Sequence, residues 1–268
     1  MKDKESVKER YLKKYGKYLR GNFSGLPPVE SKVECSESVH RSTPASDENE
    51  PAIIVFFDGL CEPRNPRGVA CYGYVIYSGG RKIGDGSGLA CEPWSWQASN
   101  NVAEYQALMK ALEWLIEHDF QEASLIVKGD SQLVINQIDG TYAVNAARLI
   151  PLHRAVRKLA EQFTDLNFEW VPREENEEAD LLSEKAYADY MAKRANMEAE
   201  IIPPSKVSKL PDGRFSVQRS IVDLANGKCS CAQSRLHELR LRVKVPCRHI
   251  IAAQAKAVTT GRSVQEIG

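Results

Sequence analysis

The 268-residue sequence has no apolar run long enough to cross a bilayer, which leaves no place for a membrane helix. Its first residues, MKDKESVKERYLKK, lack the apolar stretch of a secretory signal, so a cytoplasmic protein without membrane contact is expected. A paired cysteine framework is also missing. Seven cysteines in a chain of this length are an odd number, and they fit a reducing compartment better than a disulfide scaffold. Net charge is absent too, because 36 basic side chains cancel 36 acidic ones. Taken as a sum, this argues against a strongly basic nucleic-acid binder. The sum conceals an asymmetry, however. Residues 1–50 are net +1, residues 51–200 are net −9, and residues 201–268 are net +8. An acidic middle joined to a basic tail is a pattern that often accompanies nucleic-acid contact.

What is present divides into segments. Residues 1–20 carry eight Lys or Arg and place Tyr11, Tyr15 and Tyr18 at helical spacing, so a basic N-terminal helix is expected there. Residues 21–50 are rich in Ser, Pro and Glu and read as a flexible linker. Order begins at 52-AIIVFFDG-59, a continuous apolar run suited to a strand buried on both faces. Strands are expected at 70–80, 81–90, 124–130 and 167–172. Helices are expected at about 101–118, 131–138, 145–163 and 175–194. A meander followed by crossovers implies an α/β fold with a mixed five-stranded sheet flanked by helices, spanning 51–196. A linker at 197–210 contains Pro203-Pro204. A small module at 211–268 reads as ββα, with a hairpin through Asn226-Gly227 and a helix from Cys247 to Val258.

Four acids in the middle region sit where folding alone would not put them. Asp58 ends a buried strand. Glu104 lies in a first helical turn beside an apolar stripe. Asp130 ends another strand, and Asp180 opens the last helix amid Ala179, Leu181 and Leu182. Strand ends and helix starts on one side of such a sheet are a usual place for sites. Converging like charges need compensation, and Mg²⁺ or Mn²⁺ is the natural source. Two such ions about 4 Å apart support phosphodiester hydrolysis. Each acid also has a purely structural alternative. Asp58 suits a turn, Glu104 a capping box with Asn101, Asp130 a helix cap, and Asp180 the positive end of its helix.

With their local motifs, these four residues resemble the type 1 ribonucleases H. The resemblance covers about residues 52–195. It rests on Asp58-Gly59 with Asn65-Pro66, on 99-SNNVAEYQAL-108, on 129-GDSQLVINQ-137, and on 170-WVPREENEEADLLSEKA-186. The resemblance implies a two-metal endonuclease that cuts the RNA strand of RNA/DNA hybrids and leaves 3′-hydroxyl and 5′-phosphate ends. Asp58, Glu104, Asp130 and Asp180 then match the family's metal-binding carboxylates. Asn100, Asn101 and Gln132 match residues that contact the hybrid, and Gly59, Asn65 and Asn176 belong to the same expected substrate contacts. Three departures stand out. The loop 172-PREEN-176 has no His, so Arg173 is its nearest substitute, and its role is electrostatic because Arg does not shed a proton. Only 139-DGTYAV-144 occupies the place of the extra basic helix found in some members. Arg67 replaces a glycine often found after Asn-Pro.

The tail offers Cys229-x-Cys231 and, fifteen residues later, Cys247-x-His249. Three thiolates and an imidazole suit tetrahedral Zn²⁺ with no open position, a structural ion. The pattern resembles the SWIM zinc finger over about residues 211–258. His237 is a lesser candidate ligand, and Cys35, Cys61, Cys71 and Cys91 read as ordinary thiols. Arg235, Arg240, Arg242, Lys244 and Arg248 form a candidate phosphate-binding set. The expected molecule is a monomeric ribonuclease H whose tail grips an RNA/DNA hybrid, another nucleic-acid duplex or a protein partner. The alternative is a non-catalytic nucleic-acid-binding protein that keeps the fold and uses the tail as an adaptor.

Overall fold

Branched and aromatic residues in close succession favour extended backbone, and they build the central strand β1 (Ile53–Glu62). The computed structural model describes residues 52–259, so the expected helix at 1–20 and linker at 21–50 lie outside the described residues. β1 pairs antiparallel with β2 (Val69–Ser78) and parallel with β4 (Ser124–Gly129). β3 (Arg81–Leu89) follows β2 through Gly79 and Gly80, both at positive φ, the conformation a tight two-residue hairpin turn requires. β5 (Asp165–Trp170) adds in parallel to β4. The order β3-β2-β1-β4-β5 is the mixed five-stranded sheet expected from the sequence.

Helices cover both faces. α1 (Asn100–Glu117), α2 (Gln132–Ile138) and α3 (Ile150–Ala160) share one core with the sheet, in which Leu108, Leu112, Val134 and Val156 meet Val55 and Val127. α4 (Glu177–Glu200) lies on the other face, with Tyr187 and Met191 packed against Val69 and Cys71. A four-stranded sheet follows, β6 (Val207–Lys209), β7 (Phe215–Val217), β8 (Ser220–Asp223) and β9 (Lys228–Cys229), with α5 (Ala232–Arg240) and α6 (Arg248–Thr259). Among the described residues, no helix is long and apolar enough to cross a membrane.

Several boundaries differ from expectation for identifiable reasons. β1 does not stop at Asp58. Its parallel pairing with β4 ends at Phe57, but its antiparallel pairing with β2 continues to Glu62. α3 begins at Ile150 rather than near 145, because Pro151 is tolerated in a first turn but clashes with the carbonyl four residues back in a longer helix. α4 runs on to Glu200 through the helix-favouring stretch 195-ANMEAE-200, so part of the expected linker at 197–210 is helical. Ile202, and beside it Ala199, pack into the C-terminal core with Val207, Phe215, Val222 and Ile250. The module therefore has four strands and two helices, not the ββα arrangement expected.

Glycine decides how closely α4 approaches the sheet. Gly73 sits opposite Asp58 in the β1–β2 register. A Cβ there would lie 2.4 Å from the Ala179 carbonyl oxygen and 2.6 Å from the Ser183 backbone nitrogen. Both obstacles are backbone, so α4 would have to move. Gly73→Ala should therefore lower stability by about 1–3 kcal/mol, measured by urea unfolding. An unchanged midpoint would show that the helix is not seated through this glycine.

Candidate active site and metal centres

Asp58 sits one residue beyond the end of the β1–β4 pairing. It is 7% exposed, and its Oδ2 accepts a hydrogen bond from Ser183 Oγ at 2.7 Å. Burial pushes its carboxyl up to about 7 from an ordinary 3.8. Ser183 opposes that rise, while Asp180 and Asp130 add to it by repulsion. The site is therefore not a turn.

Glu104 comes from the first turns of α1. That helix is capped by Ser99, whose Oγ accepts from the Val102 N–H at 3.3 Å, so a capping box with Asn101 is not formed. Glu104 Oε2 instead accepts from Ser131 Oγ at 2.8 Å. Burial raises it to about 8 from 4.5, with Ser131 opposing and Asp58 and Asp130 contributing. Gly59 brings the two elements together, since a Cβ there would lie 2.3 Å from the Glu104 backbone nitrogen.

Asp130 follows β4. The cap of α2 is Ser131, which accepts from the Val134 N–H, and not Asp130. Asp130 Oδ1 accepts from Asn176 Nδ2 at 2.9 Å, and its carbonyl accepts from the Trp170 indole at 3.0 Å. Asp180 lies in the first turn of α4, where the helix end does favour an acid. Its carboxylate also meets two guanidinium groups. Arg173 Nη2 approaches at 3.3 and 3.2 Å, and Arg242 Nη2 donates to Oδ2 at 2.7 Å.

The expected substrate residues separate into two groups. Asn100, Asn101 and Gln132 lie at or near helix starts with solvent access. Asn65 is exposed, and its Oδ1 accepts from the Asn100 N–H at 3.2 Å, which ties its loop to α1. Asn176 departs from expectation. It is 1% exposed, and its amide donates to both the Phe57 carbonyl and Asp130 at 2.9 Å. A side chain so enclosed positions Asp130 and does not reach out to a ligand. Its Oδ1 is buried without a protein partner. Gly59 serves first as the seat of α1. Arg67, where a glycine was the more usual residue, adopts φ +71° and donates its N–H to the Ala98 carbonyl.

Ser131, Ser183 and Glu184 were not foreseen. Ser131 directly follows Asp130, and Ser183 and Glu184 trail Asp180 by three and four residues, which was the local signal available. The three neutral donors Ser183, Ser131 and Asn176 fix three carboxylates without neutralising them. The acids sense one another electrostatically, and this residual repulsion suits divalent cations.

The C-terminal cluster is more closely drawn. The ligand atoms of Cys229, Cys231, Cys247 and His249 all lie within 4.8 Å of one another. Zn–S and Zn–N bonds of about 2.3 and 2.0 Å give ligand separations compatible with that spacing. Cys229 and Cys247 Sγ lie 3.8 and 3.9 Å from His249 Nδ1. His237 lies outside the cluster, and its Nε2 meets the Tyr187 hydroxyl at 2.9 Å. Cys61, Cys71 and Cys91 are buried and unpaired, and Cys35 lies outside the described residues.

A family model described as "Reverse transcriptase-like" matches residues 57–186, which contain all four acids. The chain is 37% identical over 138 residues to the ribonuclease HI of Halobacterium salinarum, spanning 51% of this chain and 65% of that protein. It is 35% identical over 157 residues to a bifunctional protein of Mycobacterium tuberculosis, spanning 58% of this chain and 40% of that protein. The chain thus spans less than two thirds of the length of these relatives. The crystal structure of the Halobacterium salinarum RNase H1 is 36% identical, with 52% of this chain and 98% of that one covered, at a TM-score of 0.45.

The raised carboxyls fix a pH dependence. In metal-free protein the folded state holds the Asp58 proton more tightly than the unfolded state does. Stability is therefore lost as pH rises from about 4 towards 7, and for Glu104 from about 4.5 towards 8. Asp58→Asn removes the ionisation and should raise the urea midpoint of metal-free protein at pH 8. That gain should vanish below pH 3.8 and reverse under saturating Mg²⁺. A gain independent of pH would show that the carboxylate is not the source.

Proposed function

We propose that this ribonuclease H-like chain cleaves the RNA strand of RNA/DNA hybrids with two divalent cations, Mg²⁺ or Mn²⁺, leaving 3′-hydroxyl and 5′-phosphate ends. The observation that carries the reading is the convergence of four acids from β1, α1, the end of β4 and α4, three of them oriented by neutral hydrogen-bond donors. Asp58, Glu104, Asp130 and Asp180 would hold the ions. Bound there, such ions activate water and stabilise the leaving oxygen.

The chain's own residues supply the rest. Ser183 holds Asp58, Ser131 holds Glu104 and Asn176 holds Asp130, so the carboxylates keep their directions while substrate arrives. Asn100, Asn101 and Gln132 offer short amides to the 2′-hydroxyls and sugars of a hybrid's wide minor groove, which need no sequence reading. Arg173, 70% exposed, contributes positive charge beside Asp180 and stands where a proton-shuttling His is absent. In the tail, Cys229, Cys231, Cys247 and His249 would hold one structural Zn²⁺ with no open position. A reducing, cytoplasmic setting belongs to the same reading, since all six described cysteines are unpaired.

Two measurements test this. Asp130→Asn should reduce cleavage of a labelled hybrid by about three orders of magnitude with Mg²⁺, without loss of the folded state. Matched RNA/RNA and DNA/DNA duplexes should stay uncut by the wild type. Undiminished activity in the variant would remove the two-metal reading. Metal analysis should find about one zinc per chain, lost in the Cys229→Ser/Cys231→Ser double variant. Retention of zinc there would place the ion elsewhere.

A further inference from the structure

The C-terminal module does not hang free of the acidic domain. Leu241, Val243 and Val245 pack with Tyr187, Met191, Val69 and Cys71 on the α4 side of the sheet. His237 is 4% exposed and meets Tyr187 in both a hydrogen bond and an edge-on ring contact. Arg240 Nη1 donates to Glu62 Oε2 at 3.0 Å and to the Pro63 carbonyl at 3.1 Å. Arg248 lies 3.5 Å from Glu198. The stretch leaving α5 is thereby held along α4 and delivers Arg242 to the acid cluster.

Arg242 is held in a fork. Its backbone N–H donates to Glu184 Oε2 at 3.0 Å, and its Nε lies 3.4 Å from Glu184 Oε1. Its Nη2 reaches Asp180 at 2.7 Å. Glu184 is 4% exposed and stands one helical turn beyond Asp180, so a buried carboxylate is committed to orienting this one arginine. The Arg242 side chain as a whole remains 46% exposed.

We propose that Arg242 is a phosphate-holding residue of the nuclease centre, supplied by the C-terminal module, and that Glu184 is its positioning residue. This rests on the nuclease reading above. A self-blocking role is the weaker account. The Arg242 side chain is 46% exposed beside an Asp180 that is only 8% exposed, so water can take over its donors when a divalent ion engages the carboxylate, and four converging acids favour such an ion over a single guanidinium. Once such ions engage Asp180, the guanidinium loses that acceptor while Glu184 keeps its Nε in place. The anion then nearest to its open side is a backbone phosphate of the bound duplex, which a guanidinium recognises bidentately.

The test uses full-length, zinc-loaded protein and has two arms. On an Asp130→Asn background, which binds without cutting, binding of a fluorescent RNA/DNA hybrid is measured against salt in Mg²⁺. Arg242→Ala should weaken binding about threefold to tenfold and lower the salt slope by about one. On the wild-type background, Arg242→Ala should lower kcat for hybrid cleavage by about 10- to 100-fold. Arg242→Lys should keep the salt slope but recover only part of kcat, because an ammonium cannot make the fork. Glu184→Gln should fall between, with the zinc content unchanged. An unchanged slope and rate in Arg242→Ala, or a raised rate, would overturn the proposal. A wild type that binds the hybrid but never cuts it would instead sink the nuclease reading alone, and the binding arm would still decide for Arg242.

Discussion

Negative charge gathered at one end of a sheet is the constraint around which this structure is arranged. Four carboxylates approach one another, and for Asp58 and Glu104 burial already disfavours the ionised form. A fold that only needed stability would pair each with a cation or replace it. Here three of the four are held by neutral donors, two hydroxyls and an amide. Such bonds fix direction and leave charge uncompensated, so the site keeps its demand for external cations. Asp180 alone meets guanidinium groups, and both belong to side chains with an open face to solvent. The polar contacts thus divide into those that aim the acids and those that can be exchanged.

The geometry depends on backbone approaching backbone. Gly59 and Gly73 remove the two Cβ atoms that would hold α1 and α4 away from β1 and β2. Their consequence is local to the site. The first brings Glu104 towards Asp58 across the strand, and the second brings Asp180 and Ser183 to the opposite side of the same residue. β4 ends its pairing with β1 just before Asp58 and leaves room for Asp130. Two absent methyl-sized groups and one early end of pairing therefore place four acids from four elements.

The sheet and the acids were readable in the sequence because their signals are local. An unbroken apolar run marks a buried strand, and each acid sits within a short motif at a strand or helix boundary. Asn176 was misjudged because an exposed and a buried asparagine look alike before a helix. Its role is set by Phe57 and Asp130, far away in the chain. The capping alternatives for Glu104 and Asp130 fail for a related reason. Ser99 and Ser131 each stand next to another plausible capping residue, and only backbone geometry separates them. The path of residues 241–245 had no legible signal at all. Alternating Leu241, Val243 and Val245 reads as a short apolar stretch, and nothing local says that α4 is its partner.

The zero net charge acquires a spatial meaning from that docking. Arg240, Arg242 and Arg248 of the basic tail turn towards Glu62, Glu184, Asp180 and Glu198 of the acidic domain. Part of the apparent surplus for phosphate binding is thus spent within the chain, while Arg235 and Lys244 remain exposed. The arginine side chains of these inward pairs are about half exposed, while the acids they meet are largely buried. Their effect is orientation, and the apolar contacts of Val245 and the His237–Tyr187 pair carry the docking itself. The Cys229, Cys231, Cys247 and His249 cluster joins β9 and the start of α5 to the start of α6. Residues 241–245 run between those two helices, so the packing that closes the cluster also bears on where the Arg242 guanidinium stands relative to the acids of the larger domain.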